Sequence, residues 1–174
     1  LFFNLPARRK FLRSDQSEMF LVAKYMTQTA LAFSQVRFIL VHGTRGLMDC
    51  PAVPNLADRI FQLYGKDVLD RLMEVGREDG GRRLDGYASL PLTGRNDRSV
   101  QHFFVNNRPV KDRTLLAALG QAYSGMLEKN KYPEGFLFIS LPYEEVDVNV
   151  HPAKTEVRFR DSQAVFRLVL RAIG

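Results

Sequence analysis

The chain has 174 residues, of which 45% are hydrophobic and 25% are charged, and its formal net charge is +6. This composition is typical of one packed domain and excludes a low-complexity or disordered protein. The single cysteine, Cys50, excludes an internal disulfide and is expected to be buried. Uninterrupted apolar runs are far shorter than the roughly 20 residues of a membrane-spanning helix.

Helical periodicity and turn residues organise the first part of the chain. Ser14 and Asp15 with Glu18 have the spacing of a helix-capping box, and Val22 and Phe33 belong to a face expected to be buried. Gly65 is a good residue to end a helix. The patterns predict a short helix over 6–11, a helix over 15–34, strands over 36–41 and 47–50, and helices over 55–64 and 67–72.

The rest of the chain alternates strands with a few long helices. Gly80-Gly81 predicts a hairpin, Asn106-Asn107 predicts a tight turn, and Asp112 and Asp161 are candidate helix caps. The predicted strands cover 73–77, 82–89, 100–106, 136–141, 146–150 and 155–159, and the predicted helices cover 112–126 and the residues after 161. This order predicts an α+β fold with a mixed β-sheet and helices packed on one face.

A self-contained active site is not evident in the sequence. The twelve glycines form neither a G-x-G-x-x-G motif nor a P-loop. The three histidines lie far apart without cysteine partners, so no metal site is predicted. Phe103 and Phe104 could stack on nucleic-acid bases, but their strand pattern favours a core position.

The segment from Asp147 to Phe159 has the most distinctive pattern. Two runs of alternating polar and apolar residues flank His151-Pro152, and the proline interrupts strand pairing because it has no N–H. Lys154 therefore lies on a short, stiff turn. Such a lysine is either a solvated turn residue or a point charge presented to a phosphate outside its own domain.

Three segments carry a family resemblance. The run from Asp147 to Phe159 resembles the end of the N-terminal ATPase region of MutL mismatch-repair proteins. Residues 1–12 resemble the MutL segment that leaves the ATPase domain, with Leu5 in place of the family's threonine, and 103–113 resemble its Val-Asn-Gly-Arg-Pro-Val segment, with Asn107 in place of glycine. The segments follow the family order and cover essentially the whole chain.

This resemblance implies the fold shared by the second domain of gyrase B and a small-subunit ribosomal protein, with a left-handed βαβ crossover. It implies a single transducer domain over 1–174, in which 1–13 leave an ATPase domain and 14–174 form the body, with the turn at 151–156. Since the chain starts with Leu1, we expect it to be a piece of a longer protein.

The resemblance also implies residue roles. Lys154 would contact the terminal phosphate of ATP bound in the preceding domain, and so serve as both a catalytic and a cofactor-binding residue. Asn4 and Arg8 would brace the same inter-domain face or, alternatively, act only in capping and solvation. Arg113, Lys111, Arg108 and Arg95 would contact DNA phosphates without reading sequence.

The resemblance further implies that the chain alone is not an enzyme and binds no cofactor, whereas its parent is an ATPase that uses ATP and Mg²⁺. The expected partners are the upstream ATPase domain, DNA, mismatch-recognition and strand-nicking repair proteins, and a second copy in the full-length homodimer. The expected location is the bacterial cytoplasm, on the nucleoid during repair.

Two other readings remain open at the level of sequence. The chain could be the equivalent domain of another ATPase of the superfamily, such as a type II topoisomerase. It could also be a stand-alone binder of single-stranded nucleic acid, which the fold class and the positive charge both permit. A Glu-Asn helix and an Asp-x-Gly-x-Gly segment upstream of Leu1 would distinguish the MutL reading from the last one.

Overall fold

The computed structural model describes residues 4, 10, 12, 14–148 and 156–174. The chain divides into two compact units, Leu1–Leu63 and Tyr64–Gly174. In the described ranges, no helix has the length and apolar character needed to cross a membrane.

In the part of the chain that the structure describes, the first unit contains two helices and a β-hairpin. Its elements are α1 (Asp15–Ala32), β1 (Phe38–His42), β2 (Arg45–Cys50) and α2 (Leu56–Tyr64), whose last residue falls in the second unit. Ser14 caps α1, because its hydroxyl accepts a hydrogen bond from the Ser17 N–H at 3.4 Å. The Asn55 side chain caps α2 by accepting from the Asp58 N–H at 2.9 Å.

A buried arginine organises this first unit. Arg59 is fully buried and donates to the backbone carbonyls of Ser34 and Val36 at 2.7 Å and of Cys50 at 3.3 Å. One side chain on α2 thereby fixes both ends of the hairpin region, since guanidinium groups supply several donors in a rigid fork. Cys50 is buried, as predicted.

The second unit is built on a five-stranded sheet with the order β3-β4-β7-β5-β6. Neighbouring strands are antiparallel except β5 and β7, which are parallel. The elements are α3 (Lys66–Leu69), β3 (Leu72–Asp79), β4 (Arg82–Ser89), β5 (Gln101–Val105), β6 (Arg108–Val110), α4 (Arg113–Ala122), β7 (Gly135–Ser140), a 3₁₀ turn (Tyr143–Glu145), β8 (Val146–Asp147), β9 (Arg158–Phe159) and α5 (Ser162–Ile173).

Positive-φ residues make both tight hairpins. Gly80 and Gly81 have φ of 57° and 77° between β3 and β4, and Asn106 and Asn107 have φ of 48° and 62° between β5 and β6. Two successive left-handed residues suit the right-handed twist of paired strands. Asparagine can therefore replace the glycine that the resembling family has at position 107.

Helices α4 and α5 cover one face of the sheet. Apolar side chains from alternate strand positions, such as Leu84, Phe103 and Ile139, form one cluster with Leu115 of α4 and Leu168 of α5. The predicted caps are confirmed, since Asp112 accepts from the Leu115 N–H at 3.0 Å and Asp161 accepts from the Ala164 N–H at 2.9 Å. The α+β class with a mixed sheet is therefore confirmed.

Several predicted boundaries are wrong. The helix expected over 67–72 ends at Leu69, because Leu72 starts β3, and the helix expected to reach Met126 ends at Ala122. In α1 the buried residues are Ala30 and Leu31, whereas Val22 and Phe33 are 39% and 47% exposed. The short helix predicted over 6–11 and most of the turn at 151–156 lie outside the described residues.

Candidate nucleic-acid interface

Two of the predicted DNA-binding residues lie together at one cleft of the second unit. Lys111 and Arg113 line a cavity of about 370 Å³ and are both exposed. The other described residues that line it are Asp112, Leu116, Glu156 and Val157. We call this cavity the α4 cleft, because α4 starts there.

Local structure explains why the two cations are presented here. Val110 ends β6 and is buried in the core, which fixes the backbone immediately before Lys111. The Asp112 side chain turns inward to cap α4, whereas Arg113 takes the first helical position. A buried strand end and a capped helix start therefore hold two basic side chains at the surface.

The α4 cleft also joins two distant parts of the sequence. Glu156, the last residue of the predicted Lys154 turn, and Val157 line the same cavity as Lys111 and Arg113. Val157 is 8% exposed and belongs to the core, which fixes the backbone next to Glu156. Lys154 itself lies outside the described residues.

Arg108 does not line the α4 cleft. It starts β6, is exposed and lies opposite Val105 in the hairpin register. Its side chain is on the same face of the sheet as that of Val110, two residues later, which packs under the helices. Arg108 is thus an exposed cation at the turn end of the β5–β6 hairpin.

Arg95 has carboxylate partners that its loop sequence does not indicate. Its Nη1 lies 3.6 Å from Oε1 of Glu134, and its Nη2 lies 3.7 Å from Oδ2 of Asp97. The backbone of Arg95 also pairs with Tyr132 in an isolated β-bridge. Part of the charge of Arg95 is therefore offset within the unit, and its contact with DNA stays a prediction.

The two predicted inter-domain residues are Asn4 and Arg8. Asn4 is exposed, and Arg8 lies outside the described residues. Their roles, like that of Lys154, stay predictions. Within the ranges that the structure describes, no group of histidine, cysteine and acidic residues could hold a metal ion.

The aromatic residues of β5 belong to the interior, as the strand pattern indicates. Phe103 and Phe104 are 3% and 0% exposed, and Phe104 stacks on Phe138 with ring centroids 4.3 Å apart. A base cannot stack on a buried ring. These residues therefore do not form an aromatic platform for single-stranded nucleic acid.

Two long-range ion pairs were not predicted from sequence. Arg71 donates two hydrogen bonds, at 3.0 and 3.2 Å, to Glu134, whose side chain is 1% exposed. Arg82 donates two, at 2.6 and 2.9 Å, to Glu145. The side chains of Arg82 and Glu145 are only 22% and 21% exposed, so this pair is partly buried. Each pair joins residues 63 positions apart, and no local motif marks such a contact.

The family model described as "DNA mismatch repair protein, C-terminal domain" matches residues 60–174. The start of this match nearly coincides with the boundary between the two structural units. DNA mismatch repair protein MutL of Rhizobium meliloti is 39% identical over 174 residues, which cover 99% of this chain and 29% of that protein. MutL of Opitutus terrae is 40% identical over 173 residues, which cover 99% of this chain and 28% of that protein.

Solved structures agree at the level of the fold. A crystal structure of the N-terminal domain of a DNA repair protein has a TM-score of 0.78 at 23% identity, covering 98% of this chain and 57% of that one. The Aquifex aeolicus MutL ATPase domain complexed with ADP has a TM-score of 0.63 at 22% identity, covering 97% and 54%. The chain spans less than a third of the length of the curated relatives it matches. On the family match and the relatives together, the chain belongs to the MutL family of DNA mismatch repair proteins.

Proposed function

We propose that this chain is the transducer region of a MutL-type mismatch-repair ATPase, and that it contacts DNA phosphates without sequence preference. We propose that the transducer is one functional domain over 1–174, although its core lies in the second unit. The observation that carries the proposal is the α4 cleft, where Lys111 and Arg113 meet the last residue of the Lys154 turn and Val157.

The DNA-contacting role rests on the chemistry of the exposed cations. Lysine and arginine side chains hold phosphates as point charges or forks, and this contact does not depend on base sequence. Arg113 and Lys111 carry the contact, Arg108 extends it at the hairpin turn, and Arg95 adds less because Glu134 lies beside it. The burial of Phe103 and Phe104 favours this phosphate mode over base stacking.

The transducer role rests on Lys154. In the intact protein Lys154 would contact the terminal phosphate of ATP, held with Mg²⁺ in the preceding domain, and would lose that contact after hydrolysis. The turn is joined to Val157 in the core and to Glu156 in the α4 cleft. A displacement of the turn would therefore reach the DNA-binding cations directly.

The proposal extends to the parent protein. Its activity would be ATP hydrolysis, with Asn4 and Arg8 bracing the contact to the ATPase domain. Its partners would be a second copy and the mismatch-recognition and strand-nicking proteins of repair. The chain alone would neither bind a nucleotide tightly nor hydrolyse it.

The DNA role is tested by charge reversal in the full-length parent. Arg113→Glu should lower affinity for DNA of any sequence and reduce the slope of log affinity against log salt by about 0.9 for the lost contact. Lys129→Glu is the matched control, because Lys129 is exposed and is not among the α4 cleft residues. Equal affinities and slopes for the two variants would refute the role of the cleft.

The Lys154 role is tested by Lys154→Ala in the same protein. ATP hydrolysis should fall by at least about tenfold, because one charged contact to the transferred phosphate is worth more than about 1.4 kcal/mol. The unfolding midpoint should not change. Hydrolysis at the wild-type rate would show that Lys154 is only a turn residue. Arginine is not a suitable conservative substitution, because its planar fork differs in shape from an ammonium group.

A further inference from the structure

A second basic cavity lies on the same unit, at the turn between β3 and β4. It has a volume of about 260 Å³, and its charged lining residues are Asp79, Arg82, Arg167 and Arg171. Ala164 and Leu168 of α5 complete the wall. We call it the α5 cavity, and none of its residues belongs to the α4 cleft.

The three guanidinium groups differ in how fully they are paired. Arg82 is held by two hydrogen bonds to Glu145, and Asp161 adds a weaker attraction. Arg171 has one contact, at 3.3 Å, with Asp79, and both side chains are more than half exposed. Arg167 is exposed and has no ion pair or hydrogen bond within the described residues.

The spacing of Arg167 and Arg171 leaves positive charge unrelieved. They lie four residues apart on α5, which places them side by side on one helix face, where like charges destabilise the helix. Asp79 is the single carboxylate among the described residues of the cavity wall. An oxyanion bound between the two guanidinium groups would relieve their repulsion, and guanidinium forks match the geometry of phosphate.

We propose that the α5 cavity is a second phosphate-binding site. Arg167 and Arg171 bind the phosphate, and Arg82, which Glu145 holds in place, lines the cavity. The ligand is a backbone phosphate of DNA. Asp79 competes with any anion for Arg171, so a free ion would be held weakly. A polymer can add this weak contact to others on the same surface.

The sheet register supports this assignment, and this step rests on the proposed DNA-contacting function. Arg82 starts β4 and Arg108 starts β6. In the middle strand β7, Ser140 pairs with Arg83, and its neighbour Ile139 pairs with Val105, which in turn pairs with Arg108. The first residues of β4 and β6 therefore lie at the same end of the sheet. Three strand spacings separate them, or about 14 Å. Both side chains are on the helix-covered face, so one duplex could contact both positions.

The test is DNA binding by the full-length protein with Arg167→Glu, using random-sequence duplexes over a salt series. Because Arg167 is exposed and has no partner among the residues that the structure describes, the variant should fold normally. Affinity should fall about five- to tenfold at low salt, and the salt slope should decrease by about 0.9. Arg167→Lys should recover most of the affinity, since the charge is kept.

Lys129→Glu again controls for net charge. Affinity and slope for Arg167→Glu that equal those of this control would overturn the proposal. If Arg113→Glu has no effect and Arg167→Glu does, the α4 cleft fails as the DNA site and the α5 cavity stands.

A second arm uses inorganic phosphate, with the guanidinium resonances of Arg167 and Arg171 followed by NMR. Perturbation by DNA at concentrations where inorganic phosphate has no effect is the expected result. Saturable perturbation by inorganic phosphate, with none by DNA, would overturn the assignment to a backbone phosphate.

Discussion

The two units of the chain are stabilised by different means. In the second unit, eighteen buried apolar residues from the sheet and from helices α4 and α5 form one continuous core. In the first unit, the largest fully buried side chain is that of Arg59. Of the fourteen exposed large hydrophobic residues among those described, ten belong to the first unit, including Phe20, Tyr25, Ile39 and Val41.

This difference shows that apolar burial and hydrogen bonding contribute in different proportions to the stability of the two units. Apolar burial stabilises in proportion to the area removed from water, at about 25 cal/mol per Å². A buried guanidinium contributes through directed hydrogen bonds and costs free energy when a partner is lost. The largest effect in the second unit should therefore come from close packing, with its few buried polar contacts next, whereas effects in the first unit should come through polar contacts.

The largest effect is expected from Gly86→Ala in the second unit. A Cβ at this position would lie 2.0 Å from the Phe136 carbonyl oxygen, and Gly86 has φ of +148°, which L-residues rarely adopt. The backbone of β7 cannot yield without breaking its pairing to β4. We expect a loss of more than about 4 kcal/mol, measured by urea unfolding followed by circular dichroism.

Gly76→Ala is the control for this experiment. It lies on the neighbouring strand β3, and its Cβ would meet nothing closer than 3.7 Å. A similar unfolding midpoint for the two variants would contradict the close approach of β4 and β7.

The next largest effect is expected from Glu134→Gln. This substitution removes a buried negative charge that pairs with Arg71 at 3.0 Å and with Arg95 at 3.6 Å. Breaking a buried ion pair typically costs about 3–5 kcal/mol of stability. Because the side chains of Arg71 and Arg95 are 36% and 34% exposed, we expect a loss at the lower end of this range. Asp85→Asn, in an exposed pair with Arg83, is the control. Equal unfolding midpoints would show that Glu134 is not a stabilising centre.

In the first unit, Arg59→Lys should cost about 2–3 kcal/mol. An ammonium group cannot satisfy the three carbonyls that the guanidinium reaches, and each buried acceptor left unpaired is costly. Amide hydrogen exchange in β1 and β2 should accelerate, whereas exchange in β4 and β7 should not. Arg45→Lys, at an exposed position of β2, is the control. Unchanged exchange in the hairpin would contradict the organising role of Arg59.

The smallest effect is a dependence of stability on alkaline pH. Burial raises the pKa of the Tyr123 phenol above its ordinary value, and its hydroxyl donates to the Ser89 carbonyl. Because the folded pKa is raised, this contribution is full below about pH 10 and is lost as the pH rises further. Between pH 9 and 11, wild type should lose more stability than Tyr123→Phe. Tyr25→Phe is the control, because Tyr25 is 64% exposed. Over the same pH range this variant should lose as much stability as wild type. Parallel curves for all three would refute the prediction.

Local signals account for what the sequence could predict. Helix caps and tight turns depend on only a few neighbouring residues, so they can be predicted without knowing the fold. The examples here are the caps at Asn55, Asp112 and Asp161 and the turns at Gly80-Gly81 and Asn106-Asn107. Helix ends were less predictable. The helix from Arg113 stops at Ala122, although apolar residues continue to Leu127, because turns follow in which Gly125 has a φ of 79°.

The candidate site was predictable only in part. The family resemblance pointed to Arg108, Lys111 and Arg113 as DNA contacts, and the α4 cleft unites the last two. The pairing of Arg95 with Glu134 and the α5 cavity could not be predicted, since each depends on contacts between distant segments. In a sheet of order β3-β4-β7-β5-β6, which residues become neighbours is set by topology and not by local pattern.

That strand order also has a consequence during synthesis on the ribosome. The β3–β4 and β5–β6 hairpins close through local contacts, but β7, which joins them, is made last of the five. Between Ser89 and Gly135 the ribosome needs roughly two to ten seconds at 5–20 residues per second. Until β7 is made, the inner edge of β4 has no strand partner, and neither has that of β5 once Val105 has been added. Such unpaired edges can pair with other chains and aggregate. A pause before β7 would prolong the exposure, so synonymous codons in this stretch of the gene should affect yield more than those elsewhere.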